Sequence, residues 1–140
     1  MRLNSLRMLF DFGLVILIWM VQLVVYPSFA AFQTENLIEW HSLYMVRITY
    51  IVLPLMLGQA FFATIQGYRN RTVYTMGSLL LVVLLWMLTF TIFVPLHNEI
   101  ASGDFSSETL NELVSKNWIR TTLWSFLFVW TLLHTPKSEV

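Results

Sequence analysis

Residues 73–96 have the sequence VYTMGSLLLVVLLWMLTFTIFVPL, a largely apolar stretch of 24 residues without a charged side chain. About 20 apolar residues in a helix span the roughly 30 Å hydrocarbon core of a bilayer. Inside lipid, a helix is the form in which such a segment satisfies its own backbone hydrogen bonds. The stretch therefore predicts a transmembrane helix.

Similar apolar runs on either side extend this prediction to the whole chain. Together they predict a single domain over residues 1–140 with four spans, at about 9–31, 41–64, 73–96 and 118–133. The first run follows two arginines, as in a signal peptide. However, it exceeds the roughly 7–15 apolar residues of a signal sequence, so we expect a retained span. The predicted fold is an all-α, integral membrane four-helix bundle.

The composition supports a membrane protein and excludes several other classes. Hydrophobic residues make up 57% of the chain and charged residues 11%, against about 45–50% and about 25% in soluble domains. No cysteine is present, which excludes disulfides, thiolate metal ligands and thiol redox chemistry. The few basic residues are dispersed, so nucleic acid is not an expected partner, and no flavin or nucleotide motif is seen. The lipid bilayer is the expected environment.

The distribution of charge predicts the orientation. Five basic residues would fall on one side of the membrane: Arg2, Arg7, Arg69, Arg71 and Lys137. The other side would be mainly acidic, with a single lysine at position 116: Glu35, Glu39, Glu99, Asp104, Glu108 and Glu112. Because basic residues are retained in the cytoplasm, we predict a multi-pass protein of the plasma (inner) membrane with both termini cytoplasmic.

The outer connection between the third and fourth spans also has a helical pattern. Asp104 or Ser106 can cap a helix, and Glu108 complements its first turn. Apolar residues follow at helical spacing: Leu110, Leu113, Val114 and Trp118. We predict a short amphipathic helix at the outer surface, with a solvated loop as the alternative.

Polar side chains are costly in a membrane, and here most of them lie at the predicted outer ends of the spans. If their helical faces turn inward together, they form a pocket open to the outer side. The candidate catalytic residues are His41, Arg47, His97 and Arg120. The candidate substrate-binding residues are Tyr44, Asn98, Glu99, Asn117 and Trp118.

Each of these residues also has a purely structural interpretation. Trp118 and Tyr26 are of the type that anchors helices at membrane interfaces, and Arg120 is close enough to the surface to extend toward lipid headgroups. Arg47 lies deeper, so we expect it to be buried and paired with Glu39, Glu99 or a bound anion. Near the inner end, Asp11 is expected to pair with Arg7 or with an arginine of the inner loop.

Three chemistries fit this set of residues. His41, His97 and Glu99 would suit a divalent metal. The two histidines could instead ligate a haem, with Arg47 and Arg120 pairing its propionates. Without a cofactor, a histidine would act as general base while an arginine stabilises an enolate or phenolate.

Two motifs resemble those of the anthrone-oxygenase-like family of small four-helix membrane proteins. They are Pro95-Leu96-His97-Asn98-Glu99 and Asn117-Trp118-Ile119-Arg120-Thr121, with a looser likeness around Trp40-His41. Pro95 and Asn98 resemble the family's proline–asparagine stretch, and Trp118 and Arg120 its later tryptophan and arginine. Ile119 stands where that family carries a histidine. The resemblance implies the fold and an oxygenase-like activity.

The sequence therefore favours a membrane protein with a small-molecule site at the outer leaflet, an oxidoreductase or oxygenase-like enzyme acting on a lipophilic substrate. The alternative is a non-enzymatic accessory or assembly subunit of a larger membrane complex. Inward-facing His41, His97 and Arg120 would favour the first. The sequence leaves open whether the chain associates with copies of itself or with another membrane protein.

Overall fold

The computed structural model describes residues 3–135, which form four helices and no strand. The helices are α1 (Leu3–Ala31), α2 (Thr34–Arg69), α3 (Val73–Ser102) and α4 (Ser107–His134). Arg2 and Lys137, which contributed to the predicted orientation, lie outside the described residues.

Short connections join consecutive helices, so neighbouring helices run antiparallel. The connections are residues 32–33, 70–72 and 103–106. Helix α1 packs against α2 and α4, and α3 also packs against α2 and α4, which closes the bundle. We call the end that carries connections 32–33 and 103–106 the distal end.

Three helices, α1, α2 and α3, are long and apolar enough to cross a membrane, which indicates a membrane protein. Helix α4 contains the predicted fourth span but is more polar than the other three. Four of its polar side chains are buried in the bundle interior: Asn117, Arg120, Thr121 and Thr131. Other polar side chains near its beginning, among them Glu108 and Asn111, are exposed, so its lower hydropathy reflects both sets.

The helix predicted in the outer connection is present and has the predicted Ser106 cap, but it is not a short helix at the surface. Its residues form the beginning of α4, which starts at a Ser106 cap closed with Thr109 and contains no glycine or proline that could interrupt it. The apolar face of this segment packs on the other helices, and Leu113 is fully buried. The connection itself is short because Gly103, with φ of 78°, ends α3 in the left-handed conformation.

Helices α1 and α3 each contain one π-helical turn, at Val21–Val25 and Thr89–Phe93. A proline follows each turn within a few residues, at positions 27 and 95. Because proline has no N–H and clashes with the carbonyl four residues earlier, the wider turn accommodates it. The π turns precede Tyr26 and His97, and such turns are frequent at functional sites.

A buried ion pair stabilises the end of the bundle opposite the distal end. Arg7 Nε lies 3.4 Å from Asp11 Oδ2, and both side chains are fully buried. Arg7 Nη1 also donates to Gln66 on α2 (2.7 Å) and to Ser78 on α3 (3.1 Å). The predicted pairing of Asp11 with Arg7 is confirmed.

Asp11 extends this network to α4. Its two oxygens accept from Gln59 Nε2 (2.6 Å) and Thr131 Oγ1 (2.7 Å). Because both oxygens accept hydrogen bonds, the geometry fits an ionised carboxylate. With the contacts of Arg7, the network connects all four helices.

Candidate functional site

Four buried side chains, one from each helix, form a hydrogen-bonded row at the distal end. Arg120 Nη2 donates to Tyr26 Oη at 3.0 Å. Tyr26 Oη lies 3.0 Å from His97 Nε2, and His97 Nδ1 lies 2.8 Å from His41 Nε2. We call Arg120, Tyr26, His97 and His41 the polar row.

Hydrogen-bond accounting favours one direction of proton donation along the polar row. Arginine only donates, so the Tyr26 oxygen accepts from it and the Tyr26 hydroxyl can donate to His97 Nε2. His97 then donates from Nδ1 to His41 Nε2, and the proton of His41 lies on Nδ1. The reverse direction would leave the Tyr26 hydroxyl hydrogen without an acceptor, whereas His41 Nδ1 lacks a partner in either direction.

The polar row therefore ends at His41 Nδ1, a buried atom without a hydrogen-bond partner. His41 itself is enclosed by aromatic rings, with Phe29 at 5.8 Å and Tyr44 at 6.4 Å between ring centroids. A row of hydrogen bonds with a single direction is the arrangement needed to relay a proton from Tyr26 through His97 to His41.

Neutral groups hold the charged end of the polar row. Asn117 Oδ1 accepts from Arg120 Nε at 2.9 Å and from Nη2 at 2.6 Å. Gln22 in turn fixes Asn117, whose Nδ2 donates to Gln22 Oε1 at 2.9 Å. The guanidinium carbon lies 3.3 Å from the centre of the Phe93 ring, a cation–π contact. Within residues 3–135, no carboxylate forms an ion pair with Arg120.

A cavity of about 230 Å³ adjoins the polar row. Tyr26, Tyr44, His97 and Arg120 contribute polar groups to it. Most of the remaining lining is apolar and comes from all four helices, including Leu14, Ile48, Val52, Met56, Phe93 and Trp124. The cavity therefore combines an apolar body with a few polar groups, as small-molecule sites usually do.

The cavity opens to the side of the bundle, between α2 and α3. Four of its lining residues are also exposed on the outer surface: Thr49 and Leu53 of α2, and Phe90 and Val94 of α3. Phe90 and Val94 lie in and directly after the π turn of α3. Both helices are apolar enough to cross a membrane.

The structure brings together most of the residues predicted for the site. His41, His97 and Arg120 belong to the polar row, Tyr44 lines the cavity, and Asn117 holds Arg120. His41, His97 and Arg120 are buried. They therefore face inward, as the small-molecule hypothesis required.

The other predicted site residues lie elsewhere. Asn98, Glu99 and Trp118 are exposed; Glu99 accepts a hydrogen bond from Thr109 at 3.2 Å, and Trp118 makes an edge contact with Trp19. Asn98 and Glu99 follow His97 by one and two residues, which turns them by about 100° and 200° around the helix. They therefore face away when His97 faces inward.

The expectation that Arg47 is buried and paired is wrong. Arg47 is exposed and forms no hydrogen bond or ion pair with any described residue. Its neighbours three and four residues away, Leu43 and Tyr50, are exposed as well, because one face of α2 is directed outward. The inward face begins with His41 and Tyr44.

Neither cofactor arrangement considered from the sequence is formed. Among the described residues, no three His, Cys, Asp or Glu side chains are grouped so as to hold a metal ion, so Glu99 does not complete a site with His41 and His97. The two imidazoles bond directly to each other, with centroids 5.1 Å apart, which leaves no space for a porphyrin between them. Arg47, proposed to pair a propionate, is on the outer surface.

Sequence reasoning missed the central role of Tyr26. A tyrosine near a predicted membrane interface is most often an anchor, and the sequence alone favours that role for Tyr26. Here it bridges Arg120 to His97. The available signal was its position directly before Pro27 in an otherwise apolar span.

Comparisons of this chain with protein-family models, with curated proteins and with solved structures found no match. The resemblance to anthrone-oxygenase-like proteins therefore stays a prediction. The basis for a functional assignment is the geometry of the cavity and the polar row.

Proposed function

We propose that this protein binds a lipophilic small molecule in the cavity and removes a proton from it through the polar row. One observation carries the proposal: Tyr26, His97 and Arg120 belong both to the polar row and to the cavity lining. A bound molecule would therefore contact a proton relay and a cation at the same time.

The proposed reaction balances within the polar row. A substrate proton moves to the Tyr26 oxygen while the Tyr26 hydroxyl proton moves to Nε2 of His97. The Nδ1 proton of His97 then moves to Nε2 of His41, which becomes an imidazolium. The substrate keeps the electron pair as an enolate or phenolate, and the nearby Arg120 cation stabilises that negative charge.

Such an anion would be the species that is oxidised by an oxygenase-like enzyme or another oxidoreductase acting on a lipophilic substrate. The sequence resemblance described above supports this class of reaction. The residues of the site support its proton-transfer part.

We further propose a multi-pass plasma-membrane protein with four spans, with both termini cytoplasmic and the cavity toward the outer leaflet. The distribution of lysine and arginine supports this orientation. Helix α4 is the most polar, but its buried polar groups meet partners on other helices, as spanning segments require.

The burial of His41, His97 and Arg120 favours a small-molecule site over the accessory-subunit alternative. In an accessory subunit these side chains would be free to face lipid headgroups or a partner. Here they bond to one another beside a cavity.

A cavity-filling variant tests the binding. Val52 lines the cavity, whereas its neighbour Ile51 is exposed outside it. We expect organic extracts of purified wild-type protein and of the Ile51→Phe control to contain a lipophilic compound that Val52→Phe lacks. Mass spectrometry would detect it. Identical extracts from all three would show that only surrounding lipid was carried along, and would refute the proposal.

A second variant separates an enzyme from a binding protein. His97→Gln keeps a polar side chain but interrupts the relay. If the protein is an enzyme, this variant should carry the unreacted compound, with a different mass from the compound on the wild type. The same compound on both would indicate binding without chemistry.

A further inference from the structure

We infer that the ligand of the cavity is a lipophilic carboxylate, which reaches Arg120 laterally from the bilayer through the opening between α2 and α3. The inference rests on the proposed function and adds to it the chemical class of the ligand and its route. The carboxylate is already ionised, so the proton that moves to the Tyr26 oxygen comes from a second acidic group of the same molecule, the one that becomes the enolate or phenolate.

The charge of Arg120 is not balanced within the described part of the bundle. The bundle buries two arginines in the described region, and they differ in one respect. Arg7 has Asp11 at 3.4 Å, whereas Arg120 has only neutral partners, among them Asn117 and Tyr26. A buried charge is costly unless a charge of opposite sign compensates it. An anion in the adjoining cavity would supply that charge.

Three donors beside the cavity lack an acceptor. Arg120 Nη1, the Tyr44 hydroxyl and the buried Trp86 Nε1 form no hydrogen bond within the part of the chain that the structure describes. All three residues line the cavity. The guanidinium N–H group and the hydroxyl match the two oxygens of a single carboxylate.

The rest of the cavity is lined mainly by apolar side chains and can hold the apolar part of such a ligand. Its volume of about 230 Å³ exceeds that of an engineered apolar cavity of about 150 Å³ that accepts benzene. The space suits a ring or a folded part of an alkyl chain. A longer tail would leave through the lateral opening and stay among the lipid chains.

The lateral opening between α2 and α3 is bordered by exposed apolar side chains. Leu53 and Phe90, on its two sides, are 45% and 59% exposed. Both are apolar and lie on helices that are apolar enough to cross a membrane. A ligand dissolved in the bilayer would meet this surface without entering water.

Head-group selectivity tests the inference on the wild-type protein. The probes are decanoic acid, decanol and decyltrimethylammonium analogues, each with a photoreactive diazirine in its tail, added to the protein in nanodiscs. We expect the acid to label cavity-lining peptides at a concentration about tenfold lower than the alcohol, the difference a charge-assisted hydrogen bond provides. The ammonium analogue should label them least.

Two variants connect this selectivity to named atoms. Arg120→Gln should abolish the preference for the acid over the alcohol, and Tyr44→Phe should reduce it several-fold. Tyr50→Phe is the matched control, since Tyr50 is 77% exposed on the same helix. If Arg120→Gln fails to fold, Tyr44→Phe and the wild-type probes still decide the question. A preference unchanged in Tyr44→Phe would overturn the inference.

A variant at the opening tests the route. Leu53→Trp should reduce labelling by the acid, whereas Leu57→Trp should not, because Leu57 is similarly exposed on α2 but does not line the cavity. Equal labelling in both variants would refute lateral access.

The outcomes separate this inference from the proposed function. If acid and alcohol label the cavity at the same concentration, the carboxylate inference fails while the cavity remains a binding site. If no probe labels cavity-lining residues, the proposed function fails, and the inference fails with it.

Discussion

Replacing Asp11 with leucine should destabilise the bundle about as much as removing both charges of the Arg7–Asp11 pair. Asp11→Leu leaves the fully buried Arg7 guanidinium without a counter-ion. It also leaves the donors of Gln59 and Thr131 without their acceptor. Removing one partner of a buried pair costs about 3–5 kcal/mol, and the lost acceptor places Asp11→Leu at the upper end, about 5 kcal/mol.

Arg7→Met should cost less, about 3 kcal/mol. In this variant the Asp11 carboxylate keeps its hydrogen bonds from Gln59 and Thr131. The double variant buries no unpaired charge. Its free energy of unfolding is still lowered, because the polar side chains that bonded to Arg7 and Asp11 lose those hydrogen bonds. We expect about 5 kcal/mol for the double variant instead of the additive 8, a coupling of about 3 kcal/mol.

The measurement is unfolding in mixed micelles with increasing SDS, followed by tryptophan fluorescence, for the wild type, both single variants and the double variant. Phe12→Leu is the control, since Phe12 follows Asp11 but is 47% exposed. It should change the free energy of unfolding little. If the double variant costs the sum of the two single variants, the two charges do not interact and the reasoning is refuted.

Three further predictions follow from other parts of the molecule. With an impermeant thiol reagent on intact cells, a cysteine at Ser107 should react and one at Asn70 should not, and the opposite result would reverse the orientation. Tyr26→Phe leaves His97 Nε2 without a partner and removes one of the two acceptors of Arg120 Nη2. It should lower the free energy of unfolding by about 1–3 kcal/mol, whereas Tyr50→Phe should have no effect on the same SDS titration. Gly103→Ala places a side chain at φ of 78° and should cost about 1 kcal/mol; an unchanged transition would contradict the role assigned to this turn.

The sequence predicted the helices well because long apolar runs determine them almost alone. Every predicted span lies within a helix of the structure, although the helices extend further. Helix α2 covers Thr34–Arg69, against a predicted span of 41–64. Hydropathy detects only the apolar part of a helix, which is the part suited to lipid. The helix itself continues through the polar residues at both ends until its backbone leaves the helical conformation.

Only part of the candidate site was predicted correctly from the sequence. The incorrect residues were misplaced because the sequence does not determine how each helix is rotated about its axis. His41 and Arg47 both appeared able to face inward, yet only His41 does. The rotation of a helix depends on which face its neighbours cover, and a pattern of apolar residues on all sides does not determine this.

Tyr26 could not have been placed at the centre of the site from its type alone. The π turn at Val21–Val25 precedes it, and such a turn changes the direction of every side chain that follows. A proline nearby indicates a local irregularity but does not identify its form.

The polarity of α4 has a consequence for how the protein is made. A helix with a buried arginine is a poor substrate for insertion into a membrane by itself. Its polar groups find their partners on α1, namely Gln22, Tyr26 and Asp11. Insertion into a membrane would therefore depend on the order of the helices: α4 would be accommodated once α1 is in place, and a chain truncated after α3 would leave Gln22, Tyr26 and Asp11 without these partners.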